Sequence, residues 1–313
     1  MKIFKFNKFV QETPKNFLAQ GFSALAFTMA EILLSLTIIG VVAAITLPSL
    51  MGNINERTWN TQRKALHSRM AQALGMMPAF YEYDSLDSFV VQGLTKVIKI
   101  NNVCDRNHLA DCGFPKSINP MGGGSAVDMT YGQINIGGGA YTSTLEGAFE
   151  TLNGETVGFA GNLNCVDTTK PMSNSQASGP QHICINFIYD LNGNKGPNTM
   201  GKDIGFMTVF NPSTPEIVAP MPMPNDAGSA ALAQRSALCT ADNPDSRLPN
   251  LEEMYAIWLN SGFIGNMSNG YYGVSKKHIT SSGVAKTWGF SMGDYFMYME
   301  DCDLAMKVRC VKR

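Results

Sequence analysis

The chain has 313 residues and a formal net charge of −1, with 44% hydrophobic and only 16% charged residues. That balance excludes the basic field of a nucleic-acid binder and the polyanionic tail of a solvating segment. The apolar fraction allows sizeable cores, and the length allows one or two domains beyond any membrane segment.

The chain opens on MKIFKFNKFVQETPKNFLAQGFSALA, a leader carrying Lys2, Lys5, Lys8 and Lys15. An apolar run, FTMAEILLSLTIIGVVAAITLP, follows. As a helix its residues 27–47 would span ~31 Å, the thickness of a bilayer core. An uncleaved signal anchor is the plainest reading. An ordinary secretory signal is suggested by Ala24-Leu25-Ala26, but Gln20, Gly21 and Ser23 interrupt the apolar part such a signal needs.

The acid Glu31 inside the run separates these readings. A carboxylate at the centre of a membrane helix costs ~2.5–3.5 kcal/mol on insertion scales, and less near an end. Cleavage between Ala26 and Phe27 would create an α-amino cation about one helical turn from Glu31. Within one chain, or between neighbouring chains, the two charges would compensate each other in a low dielectric.

These residues resemble the N-terminal signature of type IV pilins and pseudopilins. The resemblance implies that a prepilin peptidase removes the leader before Phe27 and that the new N-terminus is methylated. Counted from Phe27, Glu31 is fifth, Gly40 fourteenth and Pro48 twenty-second, the family's characteristic positions, and Thr28 follows the Phe as it usually does. The family usually carries Gly before the cut, where this chain has Ala26; a cut at the upstream Gly21-Phe22 would put Glu31 tenth. The resemblance makes Glu31 an assembly charge partner. Gly40 and Pro48 become points where the helix adapts; Pro48 cannot donate to the Ala44 carbonyl, so a bend is expected there.

Residues 48–78 continue helically as a stem. Met51, Ile54, Thr58 and Ala65 form a broken stripe. Leu66, Met70, Ala73, Leu74 and Met77 form a better one, and Pro78 ends it. Basic residues flank the run on both sides, with Arg57, Arg63 and Lys64 after it. The seven cysteines, all beyond residue 100, decide the orientation: leader inside, body in an oxidising compartment.

Residues 79–210 read as a β-rich head built from FVVQGLTKVIKI, GQINIGG, ICINFIYDL and IGFMTVF between Gly, Asn and Pro turns. No nucleophile–base pair, Walker loop or HExxH motif is present, so no catalytic residue is assigned and the chain reads as a non-enzyme. The chemical stretch is DLNGNKGPN with GKD after it. Oxygen side chains at Asp190, Asn192 and Asn194 alternate as in half of a calcium loop, and Asp203 stands in for the missing bidentate acid. Calcium is thus the one cofactor the reading admits; the alternative is an Asx-rich turn whose side chains bond their own backbone. The stretch also resembles a DxNGxxGPNxxGxD segment recurrent in pilin-like proteins.

Spacing does not determine disulfide connectivity. Cys104–Cys112 and Cys165–Cys184 are taken as pairs, with Cys302 left over; Cys104, His108 and Cys112 read as a short disulfide loop rather than a metal site. Residues 211–230, rich in Pro and small residues, read as a linker or long surface loop. Beyond them, RLPN before a stripe of Leu251, Met254, Tyr255 and Trp258, together with a terminal VRCV, resembles C-type-lectin-like and formylglycine-generating-enzyme-like domains over residues 231–313. That resemblance implies a Cys239–Cys310 bridge from an early helix to the last strand, and binding on exposed loops.

The expected fold is α+β: a long N-terminal transmembrane and stem helix (27–78) behind a leader (1–26), packed on an antiparallel β-sheet head, plus a small C-terminal α+β domain. The function implied is that of a pilin-like structural subunit. It matures in the inner membrane with its body outside, then joins a type IV pilus-like filament on the cell surface, with an adhesive role open. Its expected partners are other pilin subunits, the prepilin peptidase and methylase, the inner membrane, the pilus assembly platform and a surface ligand, but not nucleic acid. The alternatives are a minor pseudopilin of a type II secretion or DNA-uptake machine, and a membrane-anchored envelope binding protein.

Overall fold

A computed structural model describes residues 28–77, 82–129, 145–167, 182–210, 216–292 and 297–312. The first element is a single helix, α1 (Met29–Met76), assigned without interruption across Pro48. The chain divides into two compact units, Met1–Asn53 and Ile54–Arg313.

Within the second unit, α1 buries Leu66, Met70, Ala73 and Leu74, spaced so that they share one face of a 3.6-residue helix. Trp59 and Met77 pack partly buried against the same cluster. Of the expected earlier stripe, Thr58 and Ala65 are exposed, while the side chains of Met51 and Ile54 lie outside the described ones.

The run FVVQGLTKVIKI, expected as a strand, is helical over most of its length. α2 (Leu86–Ser88), a π-helical turn (Phe89–Leu94) and α3 (Thr95–Val97) follow one another directly. Ser85 caps them by accepting from the Ser88 N–H at 3.1 Å. Burial falls on Phe89, Val90, Leu94 and Ile98, a helical rather than an alternating pattern. A Cβ at Gly93 would collide with the side chains of Met77 and Tyr83, so this segment lies close against the end of α1.

The first sheet is antiparallel in the order β1 (Ile100–Asp105), β4 (Gly147–Thr151), β5 (Thr156–Asp167), β6 (His182–Asp190), β7 (Ile204–Phe210), β8 (Glu216–Val218). A 3₁₀ turn (Arg106–Cys112) and the short pair β2 (Ser117–Ile118) and β3 (Val127–Asp128) lie between β1 and β4 in sequence. Both faces of this sheet are covered. Ile185, Phe187 and Tyr189 of β6 with Met207 and Val209 of β7 pack against α1 and the 86–98 segment. Ile188, Phe206 and Phe210 point the other way, into a core shared with the C-terminal part. Double coverage is why ICINFIYDL and IGFMTVF read as mostly apolar runs, with few polar residues such as Asn186 and Thr208, rather than as alternating ones.

The C-terminal part contains β9 (Gly228–Ala230), α4 (Leu232–Asp242), β10 (Ser246–Arg247), α5 (Leu251–Leu259), α6 (Ser261–Ile264), β11 (Tyr271–Ile279), β12 (Ala285–Ser291), β13 (Met297–Asp301), β14 (Met306–Val308) and β15 (Val311–Lys312). A second sheet runs β13-β12-β11-β14-β9, with only the β11–β14 pair parallel. Helix α5 touches both sheets: Tyr255 sits edge-on to Phe210 on one side and to Phe290 on the other. Its start is a capping box. Asn250 accepts from the Glu253 N–H at 2.7 Å, and Glu253 accepts from the Asn250 N–H at 2.9 Å.

Residues 216–230 do more than connect. Strand β8 pairs with β7, Pro222 bridges to Val311, and β9 pairs with β14. The segment is thus hydrogen-bonded to both sheets. Asp226 forms an ion pair with the fully buried Arg309 at 2.9 Å and accepts from the Tyr272 hydroxyl at 2.8 Å.

Candidate functional site

Two regions hold the residues that the sequence singles out. At the start of α1, Thr28 and Glu31 cap the helix reciprocally. The Glu31 N–H donates to Thr28 Oγ1 at 3.2 Å, and the Thr28 N–H donates to Glu31 Oε2 at 2.9 Å. The Thr28 hydroxyl also donates to that carboxylate at 3.0 Å. Helix starts leave N–H groups without intrahelical partners, and this arrangement satisfies some of them. T-x-x-E ahead of an apolar run is the sequence signature of such a box.

Along Met29–Thr46 the mean hydropathy is 2.2, and none of the stretch is buried by the protein itself. Leu34, Ile39 and Ile45 are exposed, the last at 72%. The polar side chains fold back onto the helix: Ser35 Oγ donates to the Glu31 carbonyl at 2.8 Å and Thr46 Oγ1 to the Val42 carbonyl at 2.9 Å. A helix so arranged presents hydrocarbon outward with its polar groups satisfied, which is what a bilayer requires. A Cβ at Gly40 would meet nothing within 4 Å among the described residues. Ala26 and Phe27 lie outside the described residues.

The second region is the β6–β7 connection, residues 190–203. Asp190 and Asp203 are both fully buried. Asp190 Oδ1 accepts from the Asn192 N–H at 3.0 Å, which is the Asx turn expected as the alternative to calcium. Asp203 holds the far side of the loop, its two oxygens accepting from the N–H groups of Asn198 at 2.8 Å and Thr199 at 2.9 Å. Asn192 Nδ2 donates to the Gly196 carbonyl at 2.9 Å. Burial, reinforced by the Asp203 charge, pushes the Asp190 carboxyl up to about 7. Asn194 is exposed; the alternation of oxygen side chains does not bring it to the others.

Arg63, on α1, is a residue that spacing did not single out. It donates to the Lys202 carbonyl at 2.6 Å and to the Gly201 carbonyl at 3.3 Å, tying the stem to the end of this loop. Nothing local in the sequence signals a contact across that separation.

Disulfides join Cys104 to Cys112 and Cys239 to Cys310, and Cys302 is a free thiol. The expected Cys165–Cys184 pair falls on side chains outside the described ones. His108 is exposed and pairs with Asp105 at 2.9 Å. Among the described residues no group of three or more His, Cys, Asp or Glu side chains is placed to hold a metal. The two halves of the C-terminal resemblance meet: β10 pairs with β15, with Arg247 opposite Val311. Trp288 and Phe290 are core residues. No protein-family model matches the chain, and a search of curated proteins finds no match.

Proposed function

We propose that this chain is a pilin-like structural subunit, held in a membrane by the first part of α1 and assembled through that helix into a type IV pilus-like filament. The observation that carries this reading is the apolar, outward-facing stretch Met29–Thr46 with a carboxylate at its start. A bilayer can cover such a surface before assembly, and copies of the same helix can cover it afterwards. The first sheet, covered on one face by α1, supports a pilin-like head. The pairing of β10 with β15 beside the Cys239–Cys310 bridge supports a lectin-like C-terminal part carried on it.

A second reading has its own observation. Glu31 already has a local partner in Thr28, so the acid has a structural use in an uncleaved anchor of an envelope binding protein. The two readings divide on the charge. Gln can fill the capping position that Glu31 occupies, but it carries no charge. In the filament reading, both Glu31→Gln and Glu31→Ala abolish filament recovery from sheared cells while the protein still accumulates in the membrane. Normal filaments from Glu31→Gln would reduce the acid to a cap.

A further inference from the structure

The β6–β7 loop has a chemistry of its own, which does not rest on the filament reading. The loop has an unusual deficit: it is short of hydrogen-bond donors. Asp190 Oδ2 and Asn192 Oδ1 are buried and accept no hydrogen bond among the described residues. The orientation of the Asn192 amide is determined by its surroundings, because its nitrogen already donates to the Gly196 carbonyl. A flip would set oxygen against oxygen.

A third oxygen joins them. Thr156 stands directly opposite Asp190 in the β5–β6 register, so the two side chains share one face of the sheet. Thr156 is buried, and its hydroxyl, which can donate as well as accept, has no hydrogen-bond partner among the described residues, Asp190 included. Two backbone carbonyls approach the loop at Gly193. The Thr156 methyl lies against Gly113, and the carbonyls of Gly154 and Gly113 lie 3.5 and 3.9 Å from where a Cβ of Gly193 would stand.

The charge is equally one-sided. Asp190 is fully buried, Asp203 stands beside it, and neither forms an ion pair among the described residues. Arg63 is committed to the Gly201 and Lys202 carbonyls, and Lys195 and Lys202 of the loop are exposed. Buried acceptors without donors are costly. A hard divalent cation resolves both deficits at once, since it takes oxygen ligands and supplies positive charge. A carboxylate, an amide oxygen, a hydroxyl and nearby carbonyls suit calcium, which tolerates irregular oxygen shells, better than magnesium.

We propose that the β6–β7 loop binds a calcium-type cation through Asp190 Oδ2, Asn192 Oδ1 and Thr156 Oγ1, with Asp203 bracing the loop through its backbone hydrogen bonds. Of the ligands expected from spacing, the site keeps Asp190 and Asn192, omits Asn194 and adds Thr156 from the neighbouring strand.

The test uses the full chain in detergent micelles, stripped with a chelator and dialysed against radioactive calcium, with thermal melting in parallel. The native chain is expected to bind about one calcium, and ~1 mM calcium to raise its Tm by about 4 °C or more. Thr156→Val removes one oxygen at nearly constant volume; it should leave the calcium-free Tm close to native and weaken binding about tenfold or more. Asp190→Asn should abolish the calcium-dependent shift. If that variant does not fold, the native chain and Thr156→Val decide. The proposal is overturned if the native chain binds no calcium at millimolar concentration, if Thr156→Val binds as tightly as native, or if magnesium gives the same shift at the same concentration.

Discussion

The two parts of α1 carry similar apolar side chains and meet opposite surroundings. Over Met29–Thr46 the leucines and isoleucines point outward on every side. Further along, Leu66, Met70, Ala73 and Leu74 are sealed beneath the first sheet, with polar and charged residues around the rest of the helix. A helix hydrophobic all round belongs in lipid or among other helices, whereas a single stripe belongs on a sheet. The first sheet thus packs on the later part of α1, whereas the earlier part has the surface of a helix suited to lipid or to other helices.

The sharpest way to break this contrast is to truncate one side chain in each part. Leu66→Ala or Met70→Ala should destabilise the head by ~2–5 kcal/mol, because each leaves a cavity where the fold is closed. Leu34→Ala should change head stability by no more than ~0.5 kcal/mol in detergent, since it removes no contact within the fold. Chemical denaturation followed by the near-UV signal of the head compares them. Equal losses from the two substitutions would erase the distinction.

A smaller effect sharpens the account of how the C-terminal part is held. Asn186 on β6 and Asn260 at the end of α5 exchange amide hydrogen bonds, at 2.9 and 3.2 Å, and Thr208 donates to Asn186 at 2.8 Å. All three are buried. Asn260→Ala leaves Asn186 Nδ2 without its acceptor and should cost ~1–3 kcal/mol in the same denaturation experiment. Losing no stability would mean that the amides do not join the sheet to α5.

The smallest expected effect is electrostatic. The side-chain hydrogen bond from His108 to the Asp105 carboxylate raises the imidazole above its ordinary range and lowers the carboxyl below its own. For a histidine raised in the folded state, the associated stability is present at low pH and fades as pH rises through the folded value; both groups are fully exposed, so it is slight. An NMR titration should show His108 titrating above an unperturbed histidine, and Asp105→Asn should return it.

Much of the fold was legible in the sequence where one physical signal dominated. The Leu66–Met70–Ala73–Leu74 spacing is a helical period, and the runs that became β6 and β7 are apolar and bounded by turn residues. The 86–97 helix was not legible, because Phe89, Val90, Leu94 and Ile98 lie in a short apolar run that both periods fit. The pairing of 216–218 and 228–230 with two different sheets is long-range, and Pro and Gly content does not report it. At the loop, alternation pointed to Asp190 and Asn192 but also to Asn194, because chain spacing in a turn does not say which side chains converge. Thr156 could come only from the strand register.

The central claim turns on one peptide bond, between Ala26 and Phe27. Intact-mass and N-terminal peptide analysis of the protein isolated from its native membrane tests it most directly. The mature chain is expected to begin at N-methylated Phe27. A chain that still begins at Met1 in the assembled, functional state would contradict it.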